Sequence, residues 1–133
     1  MASQQFAGRI ALVTGAARGI GRAIATALGE AGATVALVDL QPPAEAIIEL
    51  KQRGIDAHGF ACDVSDEAQV ERLRQDVLAA PGAPHIVVNS AGIAIRKDVA
   101  DASLAEWNRI LATNLTGPFL VSRAFIPTMK GRG

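Results

Sequence analysis

The sequence predicts an α/β fold: a doubly wound parallel sheet with strand order 3-2-1-4 and helices on both faces. Three observations predict it. Short apolar runs alternate with helix-spaced segments four times along 133 residues, the length of one ordinary domain. Half the residues are hydrophobic yet only 4% are aromatic, so the core is built from Ala, Val, Ile and Leu, which suits strands buried on both faces beneath small-residue helices. No low-complexity tract, linker or solenoid-like repeat interrupts the alternation, and successive strand–helix–strand units imply right-handed crossovers.

The elements follow in order. Arg9 to Thr14 is an apolar run stopped by Gly15, and Ile20 to Leu28 carries helical spacing, so the chain opens as strand, glycine turn, helix. Ala33 and Thr34 lead into a second strand over Val35 to Val38, ending at Asp39. Pro42 and Pro43 stand where a helix's first turn tolerates them, ahead of a helix over Ala44 to Arg53 closed by Gly54. The third strand is Ala57 to Ala61; beyond Asp63, Ser65 or Asp66 caps a helix whose Val70, Leu73 and Val77 share a face. Pro81, Gly82 and Pro84 punctuate the way to a fourth strand, His85 to Val88, which turns at Asn89 to Gly92. After a polar loop, Ser103 and Glu106 have capping-box spacing before one long helix, 103–129, with Leu104, Trp107, Leu111, Leu115, Phe119, Ser122 and Ile126 on one face. The chain then reaches Gly133 where a fifth strand is expected, so the sheet is read as truncated after its fourth strand–helix unit, with an open apolar edge.

Several function classes are excluded at this level. Thirteen basic and thirteen acidic residues give a formal charge of +0, which offers no footprint for nucleic acid or an anionic membrane. No run approaches a membrane helix, and Met1 to Arg9 lacks the basic start and apolar stretch of a signal peptide, so the cytosol is the expected compartment. A single cysteine, Cys62, excludes an internal disulfide and reads as an inert packing residue. No metal-ligand spacing is present, and His58 and His85 lie in or at strands, away from the strand ends where ligands bind.

The chemistry concentrates at those ends. Thr14-Gly15-Ala16-Ala17-Arg18-Gly19-Ile20-Gly21 joins the first strand to the first helix. Gly15 permits a tight turn, Gly19 lets backbone approach a pyrophosphate and Gly21 allows helix to pack on strand, while amides at the helix start face the phosphates. A turn that merely relieves backbone strain would use the same glycines; the preceding strand, following helix and next carboxylate favour dinucleotide binding. That carboxylate is Asp39, eighteen residues after Gly21, placed to accept the adenosine ribose hydroxyls and repel a 2′-phosphate. Asp39 therefore favours NAD over NADP. Its alternative role is to cap the following helix. Arg18 pulls the other way, since a guanidinium beside the turn can pair with a 2′-phosphate or simply lie solvated.

These residues resemble the N-terminal, cofactor-binding half of a classical short-chain dehydrogenase/reductase, whose fold is Rossmann-like. The resemblance rests on Thr-Gly-x-x-x-Gly-x-Gly at 14–21, Asp63-Val64 after strand three, Asn89-Ser90-Ala91-Gly92 after strand four and Asn114 in Thr113-Asn-Leu-Thr-Gly-Pro-Phe119, and it runs from Gly8 onward. It implies that Gly15, Ala17, Arg18, Gly19, Ile20, Gly21, Asp39, Leu40, Asp63, Val64, Asn89, Ser90, Ala91 and Gly92 hold NAD(P), and that Asn114 belongs to the catalytic tetrad. Ser90 departs from the family's second Asn. The larger departure is that the family's catalytic Ser and Tyr-x-x-x-Lys are absent, and the chain has no tyrosine at all. Pro118, four residues after Asn114, removes the helical partner of the Asn114 carbonyl and kinks the helix. The freed carbonyl can hold a water of a proton relay, or the proline simply bends the helix around the sheet.

Three readings follow. The first is the NAD(P)-binding portion of an oxidoreductase that moves hydride between nicotinamide and a small alcohol or ketone, catalytically silent as these residues alone. The second is a non-catalytic interaction module that associates with itself or with full-length subunits through helix 103–129, consistent with an expected homo-oligomer. The third is a laboratory fragment with no role of its own. The substrate is not legible.

Overall fold

A computed structural model describes residues 4–132; residues 1–3 of the opening segment and Gly133 lie outside the described residues. Four strands form one parallel sheet in the order β3-β2-β1-β4, as the alternation predicts: β1 (Ile10–Thr14), β2 (Thr34–Asp39), β3 (Ala57–Ala61) and β4 (Ile86–Val88). Helices α1 (Gly19–Glu30) and α2 (Ala44–Gln52) cover one face; α3 (Glu67–Ala79) and α5 (Gly117–Met129) cover the other, with α4 (Leu104–Leu111) leading into α5.

The period of two along a strand splits the core into two layers. Ala11, Val13, Val35 and Leu37 point toward α1 and α2, where they meet Ala25, Ala46 and Leu50. Leu12, Ala36 and Val38 point the other way, against Val70, Leu73, Val77, Leu120, Val121 and Phe125. Small residues set the spacing: a Cβ on Gly29 of α1 would strike Ile55, and one on Gly117 of α5 would strike Val64. The central strands β1 and β2 are thus buried on both faces, whereas β4, three residues long at the sheet's edge, is only half-buried.

One sequence expectation is corrected here. The single helix 103–129 is three segments, because Ala112–Thr116 form a π-helical turn between α4 and α5. Gly117 N–H reaches back five residues to the Ala112 carbonyl, which shifts the register just before Pro118, and Pro118 then occupies the first turn of α5, where its missing N–H costs nothing. The proline is absorbed by that register shift. Of the two candidate caps for α3, Asp66 is the one used: its carboxylate accepts the Gln69 N–H at 3.1 Å. The Ser103–Glu106 capping box forms as expected, and the Lys97 ammonium joins it at 3.0 Å from Glu106. Bonds from the Ser103 backbone and from Lys97 hold the Glu106 carboxyl down at about 2.

His85 stands at the opposite end of β4 from the glycine turn. Its Nδ1 faces the Ile10 N–H at 3.0 Å, and the Arg132 guanidinium lies 2.6 Å from its Nε2. Both nitrogens face donors, but a neutral imidazole has one accepting nitrogen, so the ring accepts from one of the two at a time. Partial burial, Arg132 and Arg9 together hold its pKa below the ordinary 6.5. The folded chain therefore binds this proton less readily than the unfolded chain. The stability it contributes is complete above about pH 6.5 and is lost as pH falls from there through the folded value. Urea midpoints should drop between about pH 7.5 and pH 5 more steeply in the unmodified chain than in His85→Gln. Identical pH dependence in the two proteins would contradict this origin.

Candidate functional site

The carboxyl ends of the strands carry a cleft of about 590 Å³, and its floor is two backbone turns in contact. After β1 the chain turns at Gly15, with φ +62, and a Cβ there would stand 2.7 Å from Ala91 Cα. Only glycine permits both the angle and the approach. Buried Thr14 ties the turns together: its Oγ1 accepts the N–H groups of Ser90 at 3.1 Å and Ala91 at 3.0 Å. Losing that acceptor would strand two amides, at a cost of about 1–3 kcal/mol. A Cβ on Gly21 would collide with the Gly15 carbonyl, so α1 packs directly on the turn. Gly19, at φ +62, has nothing within 4 Å of its Cβ position and faces open space. Arg22 is the first residue of α1 to close a helical bond, on the Arg18 carbonyl, leaving the amides of Gly19, Ile20 and Gly21 without acceptors in the helix.

Asp39 ends β2 beside this turn. One carboxylate oxygen accepts the Ala17 N–H at 2.9 Å and the other the Leu40 N–H at 2.8 Å. Its alternative role as a helix cap is overturned, since α2 begins five residues later and Pro43 stands at its N-cap. The carboxylate is instead held against the glycine turn, and each oxygen keeps accepting capacity at the cleft that Asp39 lines. At the end of β3, one Asp63 oxygen takes both the N–H and the hydroxyl of Ser65, at 3.0 and 2.6 Å, and Asp63, Val64 and Ser65 continue the wall.

The other wall comes from the loop after β4 and from α4. The Asn114 side chain, in the π-helical turn, makes a reciprocal pair with Ile93: its Oδ1 accepts the Ile93 N–H and its Nδ2 donates to the Ile93 carbonyl, both at 2.8 Å. Asn89 Nδ2 donates to Ser122 Oγ at 3.2 Å, tying the β4 turn to α5. These two asparagines brace the wall, while Ser90, Ala91, Gly92 and Ile93 line it.

Of the residues singled out in the sequence, Gly15, Arg18, Ile20, Gly21, Asp39, Leu40, Asp63, Val64, Ser90, Ala91 and Gly92 converge on this one cleft. Ala17, Asn89 and Asn114 lie outside its lining and tie its walls through hydrogen bonds, and Gly19 opens onto free space beside the turn. Sequence reasoning missed Arg109 and Thr113, which line the cleft from α4 and the π-helical turn; their spacing of four places both on one helical face, but the apolar stripe of the same helix masks it. Cys62 also touches the cleft. Burial, then Asp63 and Asp66, push its thiol up to about 11, which disfavours the thiolate. No cluster of His, Cys, Asp and Glu able to hold a metal occurs among the described residues, and no helix among them is long and apolar enough to cross a membrane.

Chemically, the cleft combines helix-start amides beside a glycine with open space above it, a carboxylate fixed by two amides, and two guanidinium groups, those of Arg18 and Arg109, without hydrogen-bond or ion-pair partners among the described residues. This set suits a ligand bearing phosphates and vicinal hydroxyls.

The chain is similar to known proteins in sequence and in fold. The family model described as short chain dehydrogenase matches residues 9–133. D-threitol dehydrogenase of Mycolicibacterium smegmatis is 47% identical over 119 residues, covering 88% of this chain and 46% of that protein. The crystal structure of 2-keto-3-deoxy-D-gluconate dehydrogenase from Streptococcus agalactiae superposes with a TM-score of 0.85 at 36% identity, over 99% of this chain and 50% of that one. A metagenomic short-chain oxidoreductase in complex with NADP gives a TM-score of 0.88 at 38% identity, over 94% of this chain and 58% of that one. The chain spans about half the length of the curated relatives it matches.

Proposed function

The chain belongs to the short-chain dehydrogenase/reductase family of oxidoreductases, and on that premise we propose that its cleft holds the adenosine and pyrophosphate part of a nicotinamide dinucleotide, NAD in preference to NADP. The observation that carries this is the pairing of the open amides of Gly19, Ile20 and Gly21 with the Asp39 carboxylate, which the Ala17 N–H holds beside the same turn. The amides receive the pyrophosphate with the positive end of the α1 dipole behind them. Asp39 then accepts ribose hydroxyls, and Asp63, Val64 and Leu40 surround the base. A 2′-phosphate would approach Asp39, and like charges at that range are unfavourable. Arg18 offsets part of that repulsion, so the preference is one of degree.

The bound dinucleotide supplies hydride acceptance and donation; these residues supply binding and orientation. Asn114 holds the Ile93 segment rather than touching the cleft, so its role is positioning. With no tyrosine among the 133 residues, no phenolate is available to take an alcohol proton, and we assign them no proton-transfer step. The alcohol or ketone substrate, and a cytosolic site of action, belong to the proposal at the level of the family only. Isothermal calorimetry should give tighter binding of NAD than of NADP, with Asp39→Ala narrowing the gap. Equal affinities in the unmodified chain would remove the ribose role of Asp39.

A second reading, association of copies through the α4–α5 face, is favoured by one observation. Leu104, Trp107, Leu115 and Phe119 are 73%, 56%, 67% and 57% exposed along a single stripe, and Leu111 and Ile126 extend it. Apolar area is worth roughly 25 cal/mol per Å² when removed from water, so a stripe this long favours a covering partner. Sedimentation should show a concentration-dependent dimer, with Trp107 emission shifting to the blue as it forms. A monomer at all concentrations with unchanged emission would dismiss this reading.

A further inference from the structure

We propose that Arg109 is a base-stacking residue of the cleft, laying its guanidinium plane on the outer face of the adenine. The proposal rests on the dinucleotide reading above and deepens it, since Arg109 lies outside the glycine turn, the Asp39 position and the two strand-end turns that carry that reading.

Four observations support it. First, Arg109 in α4 and Thr113 in the π-helical turn both line the cleft, whereas Trp107 and Leu111 of the same segment belong to the exposed stripe. The segment is tied there to the loop after β4, because Asn114 bonds Ile93 through both its amide atoms. Second, the Arg109 guanidinium has no hydrogen-bond or ion-pair partner among the described residues. The carboxylate best placed to take it, Glu106 three residues earlier, is already engaged by Lys97 and by the Ser103 N–H. Third, the carboxylates lining the cleft do not draw it away: Asp39 is held by Ala17 and Leu40, and Asp63 by Ser65. Fourth, Leu40 also lines the cleft and is 62% exposed, an apolar surface with nothing packed on it.

The layer order turns these into geometry. Helices α1 and α2 lie on one face of the sheet and α5, continuing from α4, on the other, so the cleft above the strand ends is a slot between two walls. A ribose fixed at Asp39 directs its base outward along this slot toward β3, between the Leu40 end of β2 and the Arg109–Thr113 wall. A flat base so placed has an aliphatic side chain on one face and a planar cation on the other. A guanidinium stacks on a π-system as an ammonium does not, because it is planar and weakly hydrated.

The test uses the whole chain with AMP, which carries the base, the ribose and one phosphate, and with NAD. Arg109→Ala should weaken both by about fivefold, the size of an exposed cation–π contact. Arg109→Lys, which keeps the charge and loses the plane, should behave like the alanine variant. Unchanged AMP affinity in Arg109→Ala, or full recovery with lysine, would overturn the stacking role while leaving the dinucleotide reading intact. Failure of the unmodified chain to bind either nucleotide would bring down the dinucleotide reading, and this proposal with it.

Discussion

Two backbone turns meet above the sheet with no side chain between them, and much of the molecule is arranged around that contact. Gly15 lies so close to Ala91 that a single methyl group would not fit, and Gly21 lies still closer to Gly15. The turn after β1, the start of α1 and the turn after β4 are therefore one rigid piece. The Thr14 hydroxyl locks it by accepting two amides from the β4 turn. With α1 brought down onto the turn, its first amides open upward instead of into protein. Asp39 then takes the Ala17 N–H and joins β2 to the same piece. The cleft is the space these constraints leave.

Its outer wall depends on a different device. An uninterrupted α-helix from Ser103 to Met129 would require an N–H that Pro118 does not have. The π-helical turn absorbs the mismatch, and Asn114 within it points its amide at the Ile93 backbone. Loop and helix are thereby tied, and Arg109 and Thr113, just before Asn114, are carried to the rim of the cleft. The opposite side of the same segment bears the exposed stripe from Leu104 to Ile126. One helical segment thus offers a polar face to the cleft and an apolar face to the outside.

Much of this was legible in the sequence because the governing signals are local. Each strand is a short apolar run ended by Gly, Asp or Asn, and β3 over Ala57–Ala61 emerges at the bounds its pattern suggests. The glycine spacing at 15, 19 and 21 encodes the turn through sterics, and Asp39 follows at the next strand end, whereas Asp63 and Ser90 to Gly92 join the same site only as the family resemblance implies. What was not legible depends on contacts across the fold. The register shift at Ala112–Thr116 has no residue signature beyond the proline, which reads equally as a kink. The bonds from Asn114 to Ile93 and from Asn89 to Ser122 join positions 21 and 33 residues apart that no spacing rule connects. Arg109 was overlooked because the apolar period of its helix dominates the pattern, and a lone arginine opposite such a stripe looks like an ordinary solvated residue.

The central claim is that the strand-end cleft between the glycine turn and the π-helical turn receives a dinucleotide. An amide-resolved NMR titration of the chain with NAD tests it most directly. The account predicts that the signals of Gly19, Ile20 and Gly21 move together with those of Asp39, Leu40 and Asp63 to Ser65, while Ile10 and His85 at the far end of the strands stay in place. Shifts confined to the exposed face of α4 and α5, or none at saturating NAD, would contradict it.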